Sequence, residues 1–276
     1  MAIPVTAEDL IVLPRLAKNI LDRLELENLH PEDLRALIAL DPALTARIIG
    51  MAAALRGVVP PTSLDDAIES LSMSKVIELA GRYSAAAVMV EQTDTFVEEL
   101  WRHSVTVAHA TRALAAAVRG VSASWAFTVG LLHDLGRFAM YRVLATDYMS
   151  LYTQALEQRA PVEDFECNTL KIDHALLGAQ IAKRLSLPAA ISAVIEFHHR
   201  PFEASNAVPD YVPLIACVSL ADKLAHRMGA GYDFRDPDPG MEKPLMEYLA
   251  LSEQGLADII KESERSTFEA TGFLWK

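Results

Sequence analysis

The chain has 276 residues, 51% of them hydrophobic, which is enough for one large domain or two small ones with a sizeable core. The net charge of −12 repels nucleic-acid phosphates, so we predict no nucleic-acid partner. Its two cysteines, Cys167 and Cys217, form no CxxC pair, which excludes a disulfide framework and fits a reducing cytoplasm. We expect both cysteines to be buried apolar side chains.

Acidic residues interrupt the first apolar stretch, and no apolar run reaches the roughly 18 residues of a membrane span, so we expect a cytoplasmic protein without a membrane partner.

Helical spacing of Ala, Leu, Ile and charged residues dominates the sequence, and alternating runs typical of strands are scarce. Capping residues mark several predicted helix starts, among them Asp41, Ser63 and Asp173. Ser252 is predicted to open a final pair of amphipathic helices. The pattern therefore predicts an all-α fold.

Breaks in this pattern suggest how the chain is divided. The clearest loop of the first third is the Val-Val-Pro-Pro-Thr stretch at 58–62, and a second break follows at 90–94. We predict a small N-terminal helical lobe over residues 1–90. Residues 91–276 are predicted to form a second helical lobe that carries the site and the C-terminal helices.

An adjacent pair, His133-Asp134, follows an apolar run that is typical of a core helix. An imidazole and a carboxylate side by side are good ligands for a divalent metal ion. The simpler interpretation is a hydrogen-bonded core histidine followed by a helix-capping aspartate. The rest of the chain favours the metal site.

Five of the eight histidines and two aspartates occupy inward-facing or terminal positions of successive predicted helices: His103, His133, Asp134, His174, His198, His199 and Asp222. Side chains from separate helices can converge inside a helical bundle. Several imidazoles with two carboxylates suit Fe, Mn or Zn, singly or as a pair. Two ions about 3.5–4 Å apart, bridged by Asp134, could activate a water for attack on phosphorus. His109 lies off the inward stripe of its helix and is predicted to be exposed.

The ligand order resembles that of the HD superfamily of metal-dependent phosphohydrolases. A longer resemblance, over about residues 10–200, is to the HDOD family, the HD-related output domains of bacterial signalling. It is carried by Asp41-Pro-Ala-Leu-Thr-Ala-Arg47, Ser63 to Leu71, Leu100-Trp-Arg-His-Ser104, Gly130 to Gly136, and Asp173 to Gly178. This resemblance implies an all-α HDOD architecture, in which a small N-terminal lobe packs on an HD-type lobe. It also implies a bacterial signal-transduction role with a signalling protein as partner.

The ligand set is also similar to that of the HD-GYP phosphohydrolases. Their pattern implies a metal site formed by all seven residues, with Asp134 catalytic. It also implies that Arg137 contacts a substrate phosphate, and that Glu99 is an extra carboxylate ligand. The segment after His199 departs from that pattern, because it lacks Asp-Gly-x-Gly-Tyr-Pro. Cyclic di-GMP is therefore not implied as the substrate.

Two functions stay open at this point. The first is a signalling module with an HD-type metal site, acting through a protein partner or a phosphate-containing small molecule. The second is an active metal-dependent phosphohydrolase for a nucleotide or phosphodiester. A third interpretation is that the histidines are hydrogen-bonded helix-end residues of an inactive fold.

Overall fold

The computed structural model describes residues 10, 12–25, 30–88, 95–121, 123–231 and 239–272. Over these residues the chain is all-α, which confirms the predicted fold class. The helices are α1 (Pro14–Leu24), α2 (Pro31–Ile38), α3 (Pro42–Arg56), α4 (Leu64–Leu71), α5 (Met73–Val88), α6 (Thr95–Ala117), α7 (Ala126–Leu132), α8 (Leu135–Leu144), α9 (Thr146–Gln158), α10 (Val162–Leu170), α11 (His174–Arg184), α12 (Ala189–Phe197), α13 (Ala204–Ala207), α14 (Val212–Arg227), α15 (Glu242–Tyr248) and α16 (Glu253–Thr271). In the described ranges no single helix is long and apolar enough to span a bilayer; α2 and α3 pass that threshold only as a pair, bent by 108°.

The predicted capping residues begin helices in the structure. Asp41 accepts the N–H of Leu44 at 2.8 Å at the start of α3, and Ser63, Asp173 and Ser252 cap α4, α11 and α16 in the same way. Each cap satisfies an amide that the first helical turn leaves without a partner.

The prediction of two helices at the C-terminus was wrong. Ser252 opens the single helix α16, which continues to Thr271, and not a pair of helices. After Gly255 in its first turn, α16 contains neither Gly nor Pro, so nothing in its sequence interrupts the helix.

Two close contacts join the first helices to later ones. The indole Nε1 of Trp101 on α6 donates to the carbonyl of Leu40 at 2.7 Å. Gly50 on α3 lies so near the end of α11 that a Cβ built on it would be 2.4 Å from the carbonyl oxygen of Leu185. The predicted lobe boundary falls in residues 89–94, outside the described residues, so the division into lobes stays a prediction.

Helix α6 lies at the centre of the second part of the chain, packed against α7, α14 and α16, while α11 packs against α8 and α12. Glycines set the spacing of α8 and α11. A Cβ built on Gly136 would lie 1.9 Å from the carbonyl oxygen of His174 and 2.9 Å from the amide nitrogen of Gly178. Only glycine allows this approach. It brings Asp134, immediately before α8, beside the first residue of α11.

The two cysteines differ in environment. Cys217 is buried as predicted, but Cys167 is exposed, so that prediction was wrong. Helix α10 buries Val162 and Glu166, four residues apart on one face. Cys167 is the next residue along the helix and points about 100° away from that face.

Candidate metal centre

The buried carboxylate of Asp134 lies between histidines from several helices. Its Oδ1 is 3.3 Å from Nε2 of His174 and 3.6 Å from Nε2 of His198. Its Oδ2 is 3.5 Å from Nε2 of His133 and 3.9 Å from Nε2 of His103. One carboxylate therefore faces two sets of imidazoles, one set through each oxygen.

Asp222 and His199 complete the predicted set. Asp222 Oδ1, on α14, lies 2.9 Å from Nε2 of His103, outside the geometry of a hydrogen bond, and 3.9 Å from Nε2 of His133. His199 Nε2 is 2.9 Å from Nε2 of His174. Two nitrogens each bound about 2.1 Å from one ion, at a right angle, would be about 3.0 Å apart. In the structure the rings of His174 and His199 are hydrogen-bonded through these nitrogens, and the same spacing is compatible with neighbouring ligands of one ion.

Four histidines are fixed through their Nδ1 atoms. The partners are the carbonyl of Ala230 for His103 at 3.2 Å, the carbonyl of Gly130 for His133 at 2.7 Å, a carboxylate oxygen of Glu166 for His174 at 2.7 Å, and the carbonyl of Ile195 for His198 at 2.9 Å. A ring that donates through Nδ1 presents its Nε2 lone pair as a ligand, the usual arrangement around a protein-bound metal.

Several buried atoms at the centre have no hydrogen-bond partner among the described residues. They are Nε2 of His103, His133 and His198, and Oδ1 of Asp134. Buried polar atoms are rarely left without a partner, because each costs about 1–3 kcal/mol. A nitrogen and oxygen donor set around one point fits a divalent cation such as Zn, Fe or Mn.

Glu166 supports the site and was not predicted from the sequence. It is fully buried and accepts hydrogen bonds from the hydroxyl of Tyr148 at 2.5 Å and from the backbone N–H of His174 at 2.7 Å, besides the imidazole. Burial lowers the pKa of His174, but the carboxylates of Glu166 and Asp134 together outweigh burial and raise that pKa to about 10. The sequence feature that could have indicated Glu166 is its position four residues after Val162, on the inward face of the same helix.

The charge states of Asp134 and His133 suit metal ligands, whereas His174 would have to release a proton to bind an ion. Burial raises the pKa of Asp134, but Arg137, whose Nε lies 3.3 Å from Oδ1, and then His133 hold it well below its usual range. Burial lowers the pKa of the His133 imidazole to about 3. An ionised carboxylate and a neutral imidazole are the forms that bind metal. Arg137 is itself buried, and its guanidinium lies against Asp134.

His226 also lies at the centre and was missed. Its Nε2 is 3.7 Å from Oδ1 of Asp222, and its ring centroid is 5.0 Å from that of His103. The spacing Asp-x-x-x-His on one helix, which places both side chains on the same face, could have indicated it.

The possible ligands form three overlapping groups, each with one ligand atom per residue within 4.8 Å of the others. We call them the central group (His103, His133 and Asp134), the α11–α12 group (Asp134, His174, His198 and His199) and the α14 group (His103, Asp222 and His226). Asp134 belongs to the first two, and His103 to the first and third.

Glu99 and His109, also on α6, lie outside these groups. The Glu99 carboxylate accepts hydrogen bonds from Arg102. His109 is 7% exposed and packs edge-on against Phe127 with ring centroids 5.1 Å apart, so the prediction that it is exposed was wrong. The reason is that neighbouring helices cover α6 on several sides.

A small cavity with room for about one water molecule adjoins the site. It is lined by Phe96, Leu100, His103, Arg137, Tyr152, His226 and Gly231. Of the predicted residues, His103 and Arg137 reach it.

A family model for the HDOD domain matches residues 10–201, more than half of the chain. The chain belongs to the HDOD family. This HDOD protein is similar to the MmoQ response regulator of Methylococcus capsulatus, with 25% identity, a TM-score of 0.70, and coverage of 91% of this chain and 97% of that one. An HDOD domain protein of Geobacter sulfurreducens shares the fold, with 21% identity, a TM-score of 0.54, and coverage of 95% and 91%. An uncharacterized protein of Treponema pallidum is 24% identical over 267 residues; the chain spans about half the length of that relative.

The HDOD match ends before α14. Asp222 and His226 therefore lie beyond the matched residues, although α14 packs directly against α6 in the structure. The packing of the helices brings Asp222, which was predicted, and His226, which was not, to this site.

Proposed function

We propose that this HDOD protein is a bacterial cytoplasmic signalling module whose His/Asp site binds one or two divalent metal ions. One observation carries the proposal: three imidazole Nε2 atoms and a carboxylate oxygen, all buried, lack hydrogen-bond partners among the described residues while Nδ1 of each ring is fixed. In histidines with a purely structural role, a buried ring nitrogen normally has a hydrogen-bond partner.

The central group, with Asp222, would hold one ion, and the α11–α12 group would hold the other. A bound ion would connect α6, α11, α12 and α14, so the relative positions of these helices would depend on the metal. The 25% identity to a protein described as a response regulator supports a signalling role. The partner would be a signalling protein, a phosphate-containing small molecule, or both.

A metal-dependent phosphohydrolase for a nucleotide or phosphodiester is the second candidate. It is favoured by Asp134, which belongs to two ligand groups, and by Arg137 beside it. A bound ion would supply a water of lowered pKa. Arg137 would balance negative charge on a phosphate. However, its guanidinium faces Asp134, and the adjoining cavity holds about one water, so a substrate would have to displace side chains to enter.

Metal analysis of the protein purified without chelator tests the proposal. We expect at least about one ion per chain, loss of one ion in His133→Ala, and loss of most of the metal in Asp134→Ala, because Asp134 belongs to both groups. His109→Gln is the matched control, because it changes a buried histidine of α6 outside the three groups. Metal far below one ion per chain in the unmodified protein would refute the metal site.

Turnover of bis(p-nitrophenyl) phosphate by the metal-loaded protein separates the two candidates. Bound metal without turnover supports the signalling module. Turnover that is abolished in both His133→Ala and Asp134→Ala supports the enzyme.

A further inference from the structure

We infer that His226 is a ligand of the ion bound at His103, so that the α14 group and the central group share one ion position. This inference rests on the metal binding proposed above. It adds a third imidazole to the half of the site that already contains His103 and His133.

The geometry of α14 carries the inference. Asp222 and His226 are four residues apart, and both face His103 across the contact between α14 and α6. One ligand atom from each of these three side chains lies within 4.8 Å of the others. His226 is largely buried, with 12% of its side chain exposed, and it lines the cavity beside the site.

The chain after α14 holds the two rings side by side. The carbonyl of Ala230 accepts from Nδ1 of His103. A Cβ built on Gly231 would lie 3.5 Å from Nδ1 of His103 and 3.7 Å from Nδ1 of His226, so the backbone packs against both rings. The φ of Gly231 is +130°, a conformation that favours glycine.

The number of ions that His103 can bind determines whether the two groups share one ion position or hold two separate ions. Its Nδ1 is committed to Ala230, and its Nε2 has one lone pair, so His103 can bind only one ion. An ion on that Nε2 would have Asp134 and His133 on one side and Asp222 with His226 on the other. Because imidazole favours Zn, Fe, Co and Ni over Mg and Mn, His226 would shift the metal preference of this half of the site.

Co²⁺ titration of the chelator-stripped full chain tests the inference, with visible absorption and equilibrium dialysis as readouts. The variants are His226→Ala and His226→Gln, with His109→Gln as the matched control and His133→Ala as the positive control. We expect both His226 variants to bind one of the Co²⁺ ions with an affinity about tenfold or more lower, and we expect the absorption bands of that ion to shift. The affinity for the other Co²⁺ ion and the affinity for Mn²⁺ should change less. Circular dichroism checks that each variant is folded.

Three outcomes overturn the inference. If both folded His226 variants titrate like the unmodified protein while His133→Ala loses an ion, His226 is no ligand and the metal site stands. If the unmodified chain takes up three Co²⁺ ions and the His226 variants two, His226 binds a separate ion. If the unmodified chain takes up no Co²⁺, the proposed metal site fails as well.

Discussion

Glu166 shows how one buried carboxylate can fix the orientation of a histidine at the site. Its two oxygens receive hydrogen bonds from Tyr148 and from both the backbone and the imidazole of His174. The ring therefore cannot rotate without breaking a charge-assisted hydrogen bond, and its Nε2 stays directed at Asp134. The negative charge also makes that nitrogen a stronger electron donor.

Glu166→Gln is expected to lower metal affinity by about 10–100-fold, because the amide keeps the shape but removes the charge. Competition with a chromophoric chelator measures the change. Tyr148→Phe is the control, because it removes one hydrogen bond and leaves both contacts with His174; its affinity should stay within about threefold of the unmodified protein. Equal affinities for Glu166→Gln and the unmodified protein would contradict the role given to Glu166.

His109 makes the stability of the fold sensitive to acid. Burial, and then Arg112, whose guanidinium is 3.1 Å from Nδ1, lower the pKa of its imidazole to about 4. The unfolded chain has a pKa of about 6.5 and takes up the proton first. The stabilisation is therefore complete above about pH 6.5 and is lost as the pH falls towards about 4.

In His109→Gln this acid sensitivity should be absent. Between pH 7 and pH 5 the unmodified protein should lose about 2 kcal/mol more unfolding free energy than the variant does. Urea denaturation at both pH values measures the difference, and other groups that titrate in this range cancel in the comparison. The same loss in both proteins would show that His109 is readily protonated in the folded state.

At the scale of the helices, the packing of α8 on α11 determines how near Asp134 can lie to His174. Gly178 takes part with Gly136, because a Cβ built on Gly178 would be 2.9 Å from the amide nitrogen of Gly136. Glycines on both helices thus allow backbone contact directly beneath the site.

Gly136→Ala should push α8 away from α11, since the new Cβ has backbone atoms on the opposite side that cannot move alone. We expect a loss of about 2–3 kcal/mol in unfolding free energy and weaker metal binding, measured by urea denaturation and dialysis. Gly81→Ala on α5 is the control, because its Cβ would meet only the end of the Leu24 side chain, at 3.3 Å. That variant should be unchanged or up to about 1 kcal/mol more stable. Equal stabilities for the two variants would refute the close-contact explanation.

Helix α6 connects the first helices to the candidate metal centre. The indole of Trp101, which is 1% exposed, donates a hydrogen bond to the carbonyl of Leu40 just after α2. His103 follows two residues later on the same helix. A displacement of the N-terminal helices would therefore act on α6 close to a predicted ligand.

Trp101→Phe should lower the unfolding free energy by about 1–3 kcal/mol, because it leaves the buried carbonyl of Leu40 without its indole donor. Trp125→Phe, at the start of α7, is the control for the loss of ring volume. Thermal and urea unfolding of both variants measure the effect. A loss in Trp101→Phe no larger than in Trp125→Phe would show that the hydrogen bond to Leu40 contributes little.

The sequence predicted the all-α class and the helix caps because periodicity and capping are local properties. It also predicted side chains that do lie together around Asp134, although their role as metal ligands remains a prediction. The burial of His109, the exposure of Cys167 and the contact made by Glu166 were not predicted. These depend on which helix faces are covered by distant parts of the chain, which local periodicity does not specify. His226 was within reach of the sequence, through its spacing from Asp222.

The proposed ligands extend from His103 to His226 along the chain, so the unfolded polypeptide has no preformed place for an ion. An ion that binds only the native state stabilises it, by about 2.7 kcal/mol when free metal is one hundred times the dissociation constant. Resistance to heat and to proteases would then rise and fall with the metal supply of the cell. Under metal starvation the protein would be degraded faster, and its abundance would itself report metal availability.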